Sequence, residues 1–236
     1  MKRRTAAQVL ADATSSLVQT HDVTDSLARL LGDCAEVLSA AAVGLLVWSD
    51  RGEIELLSST SHAIAELELF QIQQATGPCI DAISSDSEIS VVGSAQIMAH
   101  WPGVGRTITE AGYRAVHASP LRWHGQNLGA MNVFFTEPQT LTKEQSLVAQ
   151  AFADVATLVV MQPAELTDLE VGERTRSALA GRTVVEQAKG VIAQQRGVDM
   201  PSAYDLLMGM ATEHQASLSV VAEDFVRMAQ QGSLPD

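Results

Sequence analysis

Charged side chains recur along one predicted helix in the C-terminal quarter of the chain. Arg182, Lys189 and Arg196 follow one another at intervals of seven residues, with Glu186 between the first two. Because seven residues complete about two helical turns, these four side chains share one side of the helix. Lysine and arginine on one side can hold a partner, but spaced Arg–Glu and Glu–Lys pairs are also usual on a solvated helix face. The stripe therefore indicates either a binding surface or an ordinary exposed face.

The other chemistry-bearing residues do not form a recognisable catalytic or metal-binding pattern. Cys34 and Cys79 are 45 positions apart, which is neither a disulfide framework nor a zinc spacing. Cys79 is either a redox-sensing thiol or a small buried apolar side chain. His100, His117 and His124 lack metal-ligand spacing and are interpreted as strand and loop histidines. The sequence contains no recognisable Ser-His-Asp set, paired carboxylates or phosphate-cradling glycine loop, so we expect no catalytic residue, metal or cofactor.

Composition favours a folded protein with one larger and one small domain. The 236 residues are 46% hydrophobic and 18% charged, which is typical of a globular chain. The net charge of −13 argues against broad attraction to phosphate backbones, so any contact with nucleic acid must be local. No apolar signal segment follows the basic start, and the longest apolar run, residues 40–48, is far shorter than the roughly 20 residues of a membrane span. We expect a cytoplasmic protein with no membrane partner.

Hydrophobic spacing predicts helices packed on one antiparallel sheet in the first two thirds of the chain. The first helical stretch is interrupted at His21 and Asp22, and Thr24 or Asp25 is predicted to cap the helix that follows. Turn residues, Gly125 among them, predict two hairpins between short β-type runs. The helical stretches are residues 5–39, 61–75 and a segment from about Thr142, and the strands are residues 43–49, 53–59, 88–92, 115–121 and 127–135.

Three segments of this region resemble a GAF sensor domain of the bacterial signalling type. They are GPCIDAISSDSEISVV at 77–92, HWPGV at 100–104 and AGYRAVHASPLRWHGQNLGAMNVFF at 111–135, and a closing amphipathic helix follows them. The resemblance covers about residues 8–162. It implies an α+β fold, with an antiparallel sheet flanked by helices, that senses an unknown small ligand or a protein partner. The resemblance assigns no ligand-binding residue in this chain.

These patterns divide the chain into four parts. Residues 1–162 form the GAF-like domain. Residues 163–174 combine Pro, Gly and charge, which predicts either a linker or a helix extension. Residues 175–230 are predicted to form a small all-α bundle of three helices, and residues 231–236 are a tail.

Capping residues and hydrophobic spacing define the three helices of the bundle. Gly197 is the predicted C-cap of the first, and Gly190 inside that helix is attributed to the close approach of another backbone. Asp199 begins the second helix, and Ser217 or Ser219 caps the third. The predicted inward-facing residues are Val184, Val185, Ala188, Val191, Ile192 and Gln195, then Ala203, Leu206, Leu207, Met210 and Ala211, then Leu218, Val221, Ala222, Phe225 and Val226.

The bundle is similar to the ANTAR output domain, a small helical RNA-binding module of transcription antiterminators. The matching residues are Ala178, Leu179, Arg182, residues 186–190, Ala203, Tyr204, Leu207, Ala211, Leu218 and Ala222. The resemblance implies a dimer that binds nascent RNA with paired stem-loops and favours readthrough of a terminator. It also implies RNA contact at Arg182, Lys189 and Tyr204, to which the shared helix side adds Arg196. Taken alone, Tyr204 is more often a half-buried aromatic side chain than a platform for a base.

The first interpretation is therefore a cytoplasmic, homodimeric, signal-responsive regulator of transcription antitermination that is not an enzyme. Its GAF domain would control RNA binding by the bundle, with helices at 5–20 and 142–162 pairing between subunits. The alternative is a non-enzymatic sensor or protein-interaction dimer whose bundle has lost its affinity for RNA. Residues 175–230 hold five basic against six acidic side chains. The feature that favours the alternative is the loss of positive charge at 208–219, where positions that are often basic or amide in the family are Met208, Gln215, Ala216, Ser217 and Ser219. A redox enzyme that uses Cys79 is a third class.

Overall fold

The computed structural model describes residues 4–19, 23–161 and 183–231. The chain forms two compact units, Met1–Ala164 and Glu165–Asp236, called here the sheet unit and the C-terminal unit. Arg182 and the predicted linker at 163–174 lie outside the described residues. In the described part, no helix is both long enough and apolar enough to cross a membrane.

The sheet unit combines seven helices with five strands among its described residues. The helices are α1 (Ala6–Gln19), α2 (Val23–Leu38), α3 (His62–Gln74), α4 (Pro78–Ser85), α5 (Ser94–His100), α6 (Pro102–Glu110) and α7 (Lys143–Met161). The strands are β1 (Ala42–Trp48), β2 (Ile54–Ser59), β3 (Ile89–Val92), β4 (Ala115–Trp123) and β5 (Gln126–Phe135). The C-terminal unit contains a helix α8 described over residues 183–196, then α9 (Met200–Glu213) and α10 (Leu218–Gln230). The predicted α+β domain followed by a small helical bundle is confirmed.

The five strands form one antiparallel sheet in the order β2-β1-β5-β4-β3. Both predicted hairpins are present, and the tight turn between β4 and β5 contains His124 and Gly125, with φ angles of 49° and 79°. Successive residues of a strand point to opposite faces. Val133 of β5 therefore packs with α2 and α7, whereas Phe134 packs with α3, α5 and α6. The sheet thus separates two apolar cores.

Several elements of the sheet unit differ from the predictions. Helix α2 begins at Val23, so Thr24 and Asp25 lie in its first turn and neither is the N-cap. The short helices α4, α5 and α6 were not predicted, because segments of 7 to 9 residues are too short for a clear helical period. Two of these three begin at proline, with Pro78 and Pro102 in the first turn, where proline is tolerated.

The C-terminal unit has a core of six buried side chains. The predicted caps are present: the Asp199 carboxylate accepts a hydrogen bond from the Ser202 backbone N–H, and the Ser217 hydroxyl accepts one from Val220. Gly197 has a φ of 64°, the left-handed conformation in which glycine ends a helix. The core consists of Ala188, Ile192, Ala203, Leu207, Ala222 and Phe225.

Three predictions about the bundle are wrong. Leu206 of α9, predicted to face inward, is 41% exposed. Gln195 is exposed and does not share the core face with Ile192. A Cβ added at Gly190 meets no atom within 4 Å among the described residues, so no backbone of this unit requires a glycine there. Gly190 is instead an exposed glycine inside a helix, beside Lys189.

Candidate nucleic-acid interface and buried polar cluster

Two of the predicted RNA-contacting residues meet on the C-terminal unit. The Lys189 Nζ lies 5.6 Å from the centroid of the Tyr204 ring, within range of a cation–π contact. It also donates to both carboxylate oxygens of Glu186, at 2.9 Å each. The Lys189 side chain retains only 16% of its exposure, whereas Tyr204 is 39% exposed. The ammonium is thus held between a carboxylate and a ring, and the ring remains accessible for stacking.

Arg196 has different surroundings from Lys189, although both belong to helix α8. It lines a pocket of about 410 Å³ with residues of α9 and α10, including Met210 and Phe225. Arg196 is exposed, and no Asp or Glu of the described residues lies within the 4.0 Å that defines a salt bridge. The structure therefore brings Lys189 and Tyr204 together and places Arg196 at a separate pocket.

A second group of polar residues is buried in the sheet unit. Glu68 and Gln71 of α3 and Asn132 of β5 are each completely buried. The Glu68 carboxyl accepts hydrogen bonds from Asn132 Nδ2 at 2.9 and 3.0 Å and from Gln71 Nε2 at 2.7 Å. Two acceptors of the cluster, Gln71 Oε1 and Asn132 Oδ1, have no partner. The cluster therefore contains a buried carboxyl and spare acceptors but no cationic side chain within salt-bridge distance in the described part.

Two glycines leave the space that this cluster occupies. Gly44 of β1 pairs in register with Asn132, and a Cβ at Gly44 would lie 2.4 Å from Glu68 Oε1. A Cβ at Gly77 would lie 2.2 Å from Gln71 Oε1. Burial raises the pKa of Glu68 to about 8, an effect that the hydrogen bond from Asn132 only partly offsets. At neutral pH the carboxyl is therefore mainly protonated.

The buried polar cluster was not predicted, although the spacing of Glu68 and Gln71 along the sequence indicates core positions. Glu68 and Gln71 stand four and seven residues after Ile64, at the spacing of core positions on a helix. Polar residues at such positions indicate either an exposed face or a buried polar group. Only the contact of Glu68 with Asn132, 64 positions along the chain, shows that this group is buried.

Both cysteines are buried in separate cores, on opposite faces of the sheet. Cys34 and Cys79 are 0% exposed, and burial raises the pKa of each thiol. The Cys79 Sγ donates to the backbone oxygen of Ala130 at 3.4 Å. A reactive cysteine requires an accessible thiolate, so this arrangement favours a structural role for Cys79.

Two of the three histidines lie in a strand or a loop as predicted, and the third lies in a helix. His117 lies in β4 and His124 in the hairpin turn, but His100 is the last residue of helix α5 rather than of a strand or loop. Burial lowers the pKa of His117 to about 4. No group of three His, Cys, Asp or Glu side chains with metal-binding geometry occurs among the described residues.

The motif at residues 100–104 fixes the packing of α6 and α4. Trp101 precedes α6 and is only 1% exposed. Its ring nitrogen Nε1 donates to Asp81 Oδ2 of α4 at 2.8 Å. A buried indole needs such a partner, so this bond ties two short helices to each other.

Comparison with solved structures identifies the fold of the sheet unit. The GAF domain of an Acinetobacter phosphoenolpyruvate-protein phosphotransferase superposes with a TM-score of 0.52 at 13% identity, covering 65% of this chain and 91% of that domain. The GAF domain of the corresponding Coxiella burnetii protein also gives 0.52, at 17% identity, covering 73% of this chain and 96% of that domain. At these identities the likeness establishes a GAF fold and nothing finer.

The C-terminal unit is identified by its sequence. Residues 173–226 match the family model of the ANTAR domain. No curated protein matches the chain significantly. The chain thus combines a unit with a GAF fold and a segment that matches the ANTAR domain.

Proposed function

We propose that this protein is a cytoplasmic, signal-responsive regulator that binds stem-loop RNA through its ANTAR domain and thereby controls transcription antitermination. The observation that carries the proposal is the ANTAR match over residues 173–226, together with the contact of Lys189 and Tyr204 inside that segment. Arg182, Lys189, Arg196 and Tyr204 would contact RNA. We also propose a regulator and not an enzyme, because the Cys79 thiol is fully buried and a redox enzyme would need an accessible thiolate.

Exposure along helix α8 supports RNA contact on this side. Gly190 leaves open space next to Lys189, although glycine inside a helix costs about 1 kcal/mol relative to alanine. Glycine also allows close approach of a ligand to a helix backbone. A phosphate backbone lying over Gly190 would pass close to Lys189, the preceding residue of the helix.

An apolar stripe on helix α7 supports a homodimer. Leu147, Leu158 and Met161 are 70%, 46% and 38% exposed. Their spacing of eleven and three residues matches the repeat of a two-helix seam. We propose that α7 pairs with α7 of a second copy, so that two ANTAR domains face RNA with two stem-loops. A ligand at the GAF-fold unit acts as a signal only if it binds two arrangements of this dimer with different affinities.

RNA binding at two salt concentrations tests the proposal. The probe is an RNA with two adjacent hairpins and randomised loops, enriched on the wild-type full-length chain. We expect binding to weaken as salt rises, because each phosphate contact releases counterions. Lys189→Ala should weaken binding about tenfold and reduce the slope of log affinity against log salt concentration by about one.

Lys143→Ala is the matched control for that substitution. It removes the same charge from an exposed position at the start of α7 and should leave RNA affinity unchanged. Failure of the wild-type dimer to enrich any RNA over random sequence would refute the proposed function.

One observation favours the protein-interaction alternative. Met200 and Met208 of α9 are 41% and 43% exposed and stand eight residues apart, on the same side of the helix, where they could hold another protein. Apolar docking does not weaken with salt as phosphate binding does. Partner capture that persists at high salt, with no RNA enrichment, would support this alternative.

A further inference from the structure

The pocket beside Arg196 has the composition of a ligand site. Its volume of about 410 Å³ lies within the roughly 300 to 1,000 Å³ of small-molecule pockets. Most of its wall is apolar, and three polar residues, Arg196, His214 and Asp224, complete the lining. The apolar wall consists of Met210, Ala216, Val220, Val221, Phe225 and Met228.

Three cationic side chains of the C-terminal unit differ in whether they form a salt bridge. Lys189 is paired with Glu186, and Arg227 is paired with Asp224. Arg196 has no acidic partner within salt-bridge distance in the described part of the chain. A phosphate that approaches Lys189 or Arg227 must compete with a carboxylate, whereas one that approaches Arg196 does not. Arg196 is therefore the best available phosphate ligand among these three.

We propose that this pocket receives one unstacked base of an RNA loop, with Arg196 bound to the phosphate beside that base. A base presents two apolar faces, which suit Phe225 and the thioether of Met210. Its phosphate complements the guanidinium, which can bind two oxygens at once. The inference rests on the proposed RNA-binding function and adds a base-specific site to it.

A pocket of this kind distinguishes loops from duplexes. In a stacked helix the base faces are covered, so a base can enter only from a loop, bulge or end. Lys189 and Tyr204 do not line the pocket. Two separate contacts would then define the RNA footprint, the first with the backbone near Lys189 and the second with a base at the pocket.

Filling the pocket tests the inference. Val220 is 48% exposed at the pocket, and Val220→Trp should occupy the space without disturbing the core of the unit. The matched control is Leu206→Trp, which adds a similar side chain at a 41% exposed position that does not line the pocket. Both variants are compared with wild type as full-length chains, after circular dichroism confirms equal helix content and melting temperature.

The probe is the paired-hairpin RNA enriched on the wild-type protein, beside the same RNA with abasic loop positions. We expect Val220→Trp to weaken binding of the intact RNA at least tenfold, and Leu206→Trp less than twofold. The abasic RNA should bind the wild type as weakly as the intact RNA binds Val220→Trp, and Val220→Trp should not weaken it further, because both changes remove the same contact. Arg196→Gln should weaken both RNAs.

The outcomes separate the two proposals. Equal binding of intact RNA by wild type and Val220→Trp would overturn the base pocket while leaving RNA binding by the domain intact. Absence of RNA enrichment on the wild type would overturn both. A loss with Val220→Trp that is the same for abasic RNA would also count against a base in the pocket.

Discussion

The buried carboxyl of Glu68 should make the stability of the sheet unit depend on pH. Its pKa is about 8 in the folded protein against 4.5 for an ordinary glutamate, so the folded state keeps a proton that the unfolded state releases. A raised pKa contributes stability that is complete below about pH 4.5 and is lost as pH rises through 8. The total loss is about 5 kcal/mol, taken as 1.36 kcal/mol for each unit of difference.

The range between pH 6.5 and 8 isolates this effect. His117, whose pKa is lowered from 6.5 to about 4, changes stability mainly below pH 6.5; between pH 6.5 and 8 it raises stability by about 0.4 kcal/mol, equally in wild type and in Glu68→Gln. Within the window, the unfolded state has lost the Glu68 proton while the folded state still holds most of it. Stability should therefore fall by about 1.6 kcal/mol from pH 6.5 to 8 through Glu68 alone.

Urea unfolding of the full-length chain measures this loss. All three tryptophans, Trp48, Trp101 and Trp123, lie in the sheet unit, so their fluorescence reports on its unfolding. Glu68→Gln replaces the carboxyl by a neutral group of the same shape and should remove the 1.6 kcal/mol difference. The control Glu66→Gln, exposed on the same helix, should retain it. If the free energy of unfolding changed with pH in the same way for wild type and Glu68→Gln between pH 6.5 and 8, the reasoning would be refuted, because Glu68 would then be ionised in the folded state.

The remaining predictions concern the ANTAR domain and the packing of the short helices. Gly190→Ala should stabilise the C-terminal unit by about 1 kcal/mol yet weaken RNA binding severalfold. Gly209→Ala, equally open in α9, should stabilise the unit without changing RNA affinity. Thermal melting and RNA titration measure both effects, and equal RNA affinity for the two variants would show that Gly190 does not contact RNA. Glu186→Gln frees the neighbouring ammonium and should tighten RNA binding with a steeper salt dependence; weaker binding would show that Glu186 itself contacts RNA. Trp101→Phe should cost at least about 2 kcal/mol in urea unfolding, because it removes the hydrogen bond to Asp81 and leaves a gap at a buried site. Asp81→Asn, which keeps an acceptor and the packing, should cost less, and equal losses would contradict this account.

Local signals in the sequence accounted for much of the fold. The turn at Gly125 required a positive φ, Asp199 and Ser217 offered side-chain acceptors for helix starts, and β-type runs marked the strands. Each of these depends on neighbours within a few positions, so the sequence alone was sufficient. The predicted start of α2 was too late in the chain. Thr24 and Asp25 are both good N-cap types, but α2 already includes Val23, and hydrophobic spacing alone does not fix the first residue of a helix.

The candidate site was predicted only in part, because one helix face does not specify its neighbours. Sequence placed Lys189 and Arg196 on one side of α8, but only the packing of α9 and α10 put Lys189 against Tyr204 and Arg196 beside a pocket. Glu68 was missed for the same reason.

What the sequence determined by itself was the two-domain architecture, the secondary-structure pattern and the ANTAR signature. What the tertiary structure decided was which polar groups are buried and which cations are paired with a carboxylate. Burial and pairing depend on residues far apart in the chain, such as Glu68 with Asn132, and periodicity contains no information about such pairs.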